Sequence, residues 1–227
     1  MEFRNEIELI ADPDEAKARQ ERLAAELRMS PGPVGVRLVG ATDVAYDKET
    51  DEAHAGVVVL DAVTLEVVAE ATWSGPPGYP YVPGLFGLRE ASCLMPAFRA
   101  LDVVPDVFLI DGHGYAHPRR FGLACLLGWA LGVPTIGCAK KRLIGSYEPP
   151  GAEAGSRSEM VDGGEVIGHA LRTQEGTNPV FTSPGWGYDV ETATALVLSV
   201  AGEYRIPEPL RQAHRLSIET RAGEVSS

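Results

Sequence analysis

DVFLIDGHG, residues Asp106–Gly114, runs four consecutive apolar side chains between two aspartates and then turns through Gly112 and Gly114. A short run of Val, Phe, Leu and Ile without polar alternation is the pattern of a strand buried on both faces, as in a parallel sheet. Asp111 ends that run, at the carboxyl edge where open α/β sheets place their ligands. Upstream, Leu85–Leu101 repeats Leu88, Leu94, Met95 and Phe98 at near-helical spacing, with a kink expected near Pro96. The loop GPPGYPYVPG, Gly75–Gly84, precedes it. Further back, Arg37–Tyr46, Ala55–Asp61 and Leu65–Thr72 are β-rich runs joined by short polar links and read as an antiparallel meander. Asp14–Leu27 reads as an N-terminal surface helix whose apolar stripe is Leu23, Ala24 and Leu27.

Downstream of Gly114, Arg119–Leu131 reads as a buried helix and Pro134–Cys138 as a second buried strand. Ser158–Val161 and Glu165–Arg172 suggest a hairpin across Asp162-Gly163-Gly164, and a strand to Phe181 follows. TSPGWG is read as a glycine-rich turn before a helix over Asp189–Ala201, and Pro207–Ser217 as a last helix. Three antiparallel strands followed by helix, strand, helix, strand imply an α/β fold. Its sheet is mixed and ribonuclease-H-like, with the meander extended by parallel strands and helices on the flanks. A dinucleotide fold would alternate strand and helix from the start and carry G-x-G-x-x-G after its first strand, and neither feature is present. No repeat or linker divides residues 1–227, so one domain is expected, with 1–29 as an N-terminal extension and 218–227 as a loose tail.

Composition narrows the class further. With 44% hydrophobic and 23% charged residues the chain can bury a sizeable core. The charge-free stretch Phe121–Ala139 is interrupted by Pro134 and four glycines, which argues against a membrane span. Met1–Asp14 is acidic and lacks the apolar core of a secretory signal, so the cytosol is the expected compartment. Cys93, Cys125 and Cys138 lie far apart among apolar neighbours, as buried reduced thiols do. A net charge of −12 weighs against a uniformly positive binding surface, yet residues 1–70 alone hold 16 acids against 7 cations. The cations elsewhere cluster at Arg119–Arg120, at Lys140–Arg142 and in the trio Arg205, Arg211, Arg215, and two readings stand: one basic groove for nucleic acid, or scattered solubilising charge, which composition alone slightly favours.

Three acids carry the candidate chemistry. Asp43 lies within a strand of apolar neighbours, where an ionised carboxylate is costly without a cation or strong donors. If the first and fourth strands are neighbours, Asp43 and Asp111 project side by side, and Glu90 on the intervening helix hangs over them. Magnesium prefers few carboxylates, retained waters and phosphate oxygens, and such a trio offers that set. One or two bound ions would activate an attacking water and stabilise a departing 3′ oxygen. Taken singly, Asp43 serves equally well as a strand cap and Asp111 as a turn former. Lys140, His117 and His214 are candidates to meet a phosphate or orient water, against the alternatives of a solvated lysine and carbonyl-bonded histidines.

VGATDVAYD around Asp43, YPYVPGLFGLRE over Tyr79–Glu90, DVFLIDGHGYAHPRRFGLACLLG from Asp106, PTIGCAKKRL to Leu143, GHALRT near His169, TSPGWG near Pro184 and PLRQAHRLS around His214 together resemble the endonuclease V family of deoxyinosine-directed nucleases. The resemblance covers roughly residues 30 to 217. It implies metal-dependent hydrolysis of the second phosphodiester bond 3′ to hypoxanthine in DNA. Asp43, Glu90 and Asp111 would be the ligands of Mg2+, or of Mn2+ as a substitute, and Lys140 and His214 supporting catalytic residues. Tyr81, stiffened by Pro80 and Pro83, resembles a wedge that fills the gap left by an extruded base. Gly84, Leu85, Gly112, His113, Gly114 and His117 would line the pocket that receives the base. A monomer is expected. Inosine in RNA is an alternative substrate, and a catalytically silent nucleic-acid-binding protein is an alternative of another class.

Overall fold

The computed structural model describes residues 1–223, so the end of the tail expected to be loose lies outside the described residues. The three runs of the expected meander form β1 (Leu38–Tyr46), β2 (Ala53–Asp61) and β3 (Val67–Gly75). α2 (Phe86–Ala100) leads into β4 (Val107–Ile110), and α3 (Leu123–Leu131) into β5 (Thr135–Ala139). β6 (Arg157–Asp162), β7 (Glu165–Leu171) and β8 (Val180–Trp186) follow, then α4 (Val190–Ser199) and α5 (Glu208–Ala222); α1 is Pro13–Ala24. The eight strands make one mixed sheet in the order β3-β2-β1-β4-β5-β8-β7-β6, with β1, β4 and β5 parallel and the remaining neighbours antiparallel. This is the ribonuclease-H-like arrangement expected from the element order.

Alternate residues of the central strands feed two cores, as a period of two requires. Val57, Val59, Phe108 and Ile110 pack with α1, α2 and α3, where Phe98 meets Phe108 edge-on at 5.1 Å between ring centroids. Val39, Ala41, Val58, Leu60, Val107 and Leu109 pack with α4 and α5 on the opposite face. Cys93, Cys125 and Cys138 are buried and free. Among the described residues no helix is long and apolar enough to cross a membrane.

Three boundaries differ from the sequence reading. Residues 119–122 are not helical: Arg120 takes a left-handed φ of 54°, its guanidinium held by Asp162 and Glu165, and α3 begins only after Gly122. TSPGW is not a turn but the body of β8. A bulge against Thr135/Ile136 absorbs Gly185, so Pro184 and its neighbour need not complete a regular ladder. Residues 218–222, expected to be loose, continue α5 to Ala222 before Gly223 caps it in the left-handed region. Pro96 lies inside α2 without breaking it into two helices.

Candidate active site

β1 and β4 run parallel with Thr42 opposite Ile110, so Asp43 and Asp111 are the next step on neighbouring strands. Both follow the parity of Val39, Ala41, Val107 and Leu109, the residues facing α4 and α5. Across the β1–β2 ladder, Asp43 is paired with Gly56. A Cβ on Gly56 would stand 3.0 Å from both the Ala213 carbonyl oxygen and the Ser217 nitrogen, so glycine is what lets α5 settle onto the sheet here. That approach delivers two α5 side chains to one carboxylate. Ser217 Oγ donates to Asp43 Oδ2 at 2.6 Å, and His214 Nδ1 lies 3.2 Å from the same oxygen. Because a carboxylate only accepts, the His214 proton sits on Nδ1, and a neutral ring then leaves Nε2 as an acceptor toward solvent. Asp43 is half-buried, with its side chain only 10% exposed, while His214 stands open to solvent.

Lys140 follows β5 directly, and its Nζ lies 2.5 Å from Asp111 Oδ2. The backbone of Lys140 is fixed in turn by Arg205, whose Nη2 donates to the Lys140 carbonyl at 2.8 Å. Burial raises the Asp111 carboxyl above the usual carboxylate range, with Lys140 opposing the shift and Asp43 adding to it. Lys140 is held above the usual lysine range: burial works against its charge, but Asp111 and then Asp43 outweigh that cost.

Glu90 reaches the cluster from α2, in the helix layer on the other face of the sheet. The residue is half-buried and its carboxyl group lies deep, which pushes it up to about 8, first through burial and then through Asp111 and Asp43. Three acids thus sense one another in a poorly solvated place beside a single lysine. The donor set fits a small, hard divalent cation: oxygen ligands only, and an excess of negative charge that one cation would relieve. Among the described residues no three His, Cys, Asp or Glu side chains are drawn together closely enough to hold a metal ion by themselves. An open cluster suits magnesium, which keeps several waters and needs only one or two carboxylates at bonding distance.

Beside Glu90 a recess of about 260 Å³ opens on the α2–α3 side of the sheet, lined by Gly84, Gly112, His113 and His117 together with Phe86 and Leu123. Burial, then Arg119, lowers His117 to about 4. Its Nδ1 accepts from the Arg119 nitrogen, so the neutral ring carries its proton on Nε2. His113 is also lowered by burial; its Nε2 donates to the Lys141 carbonyl at 3.0 Å, and its buried Nδ1 has no partner. Two residues expected in this pocket are elsewhere. Leu85 is 1% exposed and belongs to the core under α2, because the first turn of that helix rotates Phe86, not Leu85, toward the opening. Gly114 is buried against β8, where a Cβ would come within 2.0 Å of the Pro184 carbonyl oxygen; the glycine serves strand packing.

Tyr81 is 68% exposed and meets Phe86 edge-on at 6.0 Å, with Pro80 and Pro83 exposed on either side. The base of its loop is anchored: Tyr79 Oη donates to the Ile10 carbonyl, and Arg89 Nη1 donates to the Tyr79 carbonyl while Nη2 holds Asp51. Of the two readings of the clustered cations, a single basic groove does not form. Arg119 is tied to Gln20 and Gly84, Arg120 to Asp162 and Glu165, and Arg215 to Glu219, because nearby carbonyls and carboxylates satisfy each fork. Lys140, Arg205, Arg211 and His214 alone share a groove. Sequence reading missed Ser217 and Phe86. Ser217 had a signal, since it stands three residues after His214 and therefore on the same helix face; Phe86 had none.

Comparison with known proteins gives the family and agrees with the fold. The family model described as Endonuclease V matches residues 20–215. Endonuclease V of Streptomyces avermitilis is 48% identical over 208 residues, covering 91% of each chain. The crystal structure of the Streptomyces avermitilis endonuclease V superposes with a TM-score of 0.90 at 45% identity, covering 96% of both chains. Endonuclease V of Ciona intestinalis, crystallised with a DNA containing an inosine followed by a ribo-adenosine, superposes with a TM-score of 0.83 at 27% identity, covering 94% of this chain and 99% of the other.

Proposed function

The chain belongs to the endonuclease V family and is an endonuclease that hydrolyses phosphodiester bonds, and we propose that it cuts DNA at the second phosphodiester bond 3′ to hypoxanthine, the base left when adenine is deaminated. The observation that supports this reading is that Asp43 and Asp111 stand abreast on neighbouring strands with Glu90 within electrostatic reach of both, beside a recess of about 260 Å³. These acids are the proposed ligands of Mg2+, with Mn2+ able to replace it; when bound, the ion supplies Lewis acidity toward the phosphate and its attacking water.

The side chains divide the remaining work. Ser217 and His214 hold Asp43 in one orientation, which preorganises the ligand before a cation arrives. His214 Nε2 is free to accept a proton from the attacking water. Lys140, fixed beside Asp111, offers positive charge to the scissile phosphate. Tyr81, on a loop stiffened by Pro80 and Pro83 and strapped by Arg89, is the wedge that stands in for the extruded base. In the recess, backbone N–H and C=O groups around Gly84 and Gly112 would meet the C6 oxygen and N1 proton of hypoxanthine, and adenine would present the opposite pair. The neutral ring of His117 packs against the base without charge.

The deciding test is gel analysis of a duplex with a single inosine, with magnesium and with chelator. The expected product ends one nucleotide beyond the lesion and forms only with the ion. A product at another bond, or cleavage indifferent to chelator, sinks the reading. A matched inosine-containing RNA strand in the same experiment decides which sugar is preferred. For the wedge, Tyr81→Ala should weaken binding to the lesion roughly tenfold more than binding to plain duplex; equal losses on both remove that role.

A further inference from the structure

Resting on the cleavage position just given, we propose that a second groove, on the α5 side of the carboxylates, holds the nucleotide that departs with the 5′ phosphate, its base stacked on Tyr204. The groove has a volume of about 380 Å³ and is lined by Lys140, Tyr204, Ile206, Leu210, Arg211 and His214. Lys140 touches Asp111 and His214 touches Asp43, so the groove opens directly onto the acids. The recess for the lesion reaches the same acids through Glu90, from the opposite helix layer. A strand whose flipped base sits in the recess and whose scissile phosphate sits at the acids must leave over the other side, and the groove is there.

Its chemistry suits a nucleotide. Tyr204 is 53% exposed, and the Arg211 guanidinium lies 3.5 Å from its ring centroid, which holds the ring as a platform and leaves surface open. Half-buried Ile206 and buried Leu210 make an apolar floor, while Lys140 and Arg211 supply cations at the rim. Two neighbouring groups are already committed: Arg205 donates to the carbonyls of Asn178, Pro179 and Lys140 and stiffens the wall, and Glu208 accepts from Arg211 Nη1 at 2.6 Å. An exposed aromatic ring backed by arginine beside a cationic rim is a sequence-tolerant stacking site for a single-stranded base.

The test is single-turnover cleavage by the full chain of two inosine-containing strands. One is intact, and the other carries a tetrahydrofuran abasic residue as the second nucleotide 3′ to the lesion. Wild type should lose roughly tenfold in kcat/KM on the abasic strand. Tyr204→Ala should lose the same factor on the intact strand and nothing further on the abasic one, and Tyr204→Phe should behave as wild type. Losses that multiply, or a wild type indifferent to that base, overturn the stacking site while leaving the substrate reading intact. If Tyr204→Ala does not fold, the wild-type comparison of the two strands still decides. A wild type that cuts neither strand, or cuts at another bond, overturns both.

Discussion

Two clusters of acids and cations in this molecule look alike in composition and behave oppositely. Around Arg120, two carboxylates meet one guanidinium: Asp162 and Glu165 each accept from it at 2.9 Å, and Tyr115 Oη donates to Glu165 at 2.5 Å. The acids there are partly exposed, every charge has a partner, and the Glu165 carboxyl falls below the usual range, first through the Tyr115 hydrogen bond. At the sheet edge, three acids share one lysine in a poorly solvated place, and Glu90 and Asp111 rise instead of falling. The first cluster uses charge to tether β6–β7 to the loop before α3. The second gathers three carboxyls around a single lysine and pushes two of them toward their protonated forms, so an arriving cation would favour their charged forms.

Substitutions in the two clusters should therefore diverge in sign as well as size. The largest effect is expected for Asp111→Ala, which removes a proposed ligand: single-turnover cleavage should fall by at least about a hundredfold. A fall of less than tenfold would make the edge cluster structural. Glu90→Gln should also abolish cleavage, yet stabilise the chain in chelator by on the order of 2 kcal/mol near neutral pH. Because burial and its neighbours raise the folded value from 4.5 to about 8, the cost of Glu90 is absent below about 4.5 and grows until about 8. Wild-type stability in chelator should decline across that window, and the Glu90→Gln denaturation midpoint should stay flatter. A variant less stable than wild type there would mean that Glu90 is satisfied in the fold.

A smaller effect is expected for Ser217→Ala, which leaves all three acids but frees Asp43: roughly tenfold lower activity, relieved in part by raising the magnesium concentration. A loss that excess ion does not touch would separate Ser217 from ligand positioning. The smallest is expected in the paired cluster. Arg120→Gln should leave cleavage within about twofold and cost roughly 1 kcal/mol of stability, less at high salt. Since Glu165 is held low, the contribution is present at neutral pH and disappears as pH falls through its folded value, so wild type and variant should converge in acid. A large activity loss in Arg120→Gln would erase the distinction between the clusters.

Much of the site is legible in the sequence. Asp43, Glu90 and Asp111 stand out as an acid within an apolar strand, an acid on the helix that follows the meander and an acid ending the next strand, and the β1–β4 register brings the aspartates abreast. Ser217 is found only through its spacing from His214, because a serine among the buried residues of α5 does not by itself name its partner, which is distant along the chain. Leu85 and Gly114 are misplaced for a related reason: a loop's apolar and glycine residues do not announce whether they face ligand or core. The single basic groove fails because counting arginines ignores the carbonyls and carboxylates waiting for them.

The chain on its own determined its strands and helices, because burial periodicity is local: apolar runs, alternation and turn residues act within a few positions of one another. It also determined that one acid would stand within an apolar strand and another at the end of the next buried one, a costly choice visible from their neighbours. Only the tertiary structure decided which charges would be paired and which left open. That outcome depends on how closely α5 may approach at Gly56, how far Lys140 reaches, and which arginines are intercepted first. These are contacts between residues far apart in sequence, and their energies arise from distance and desolvation once the layers have closed.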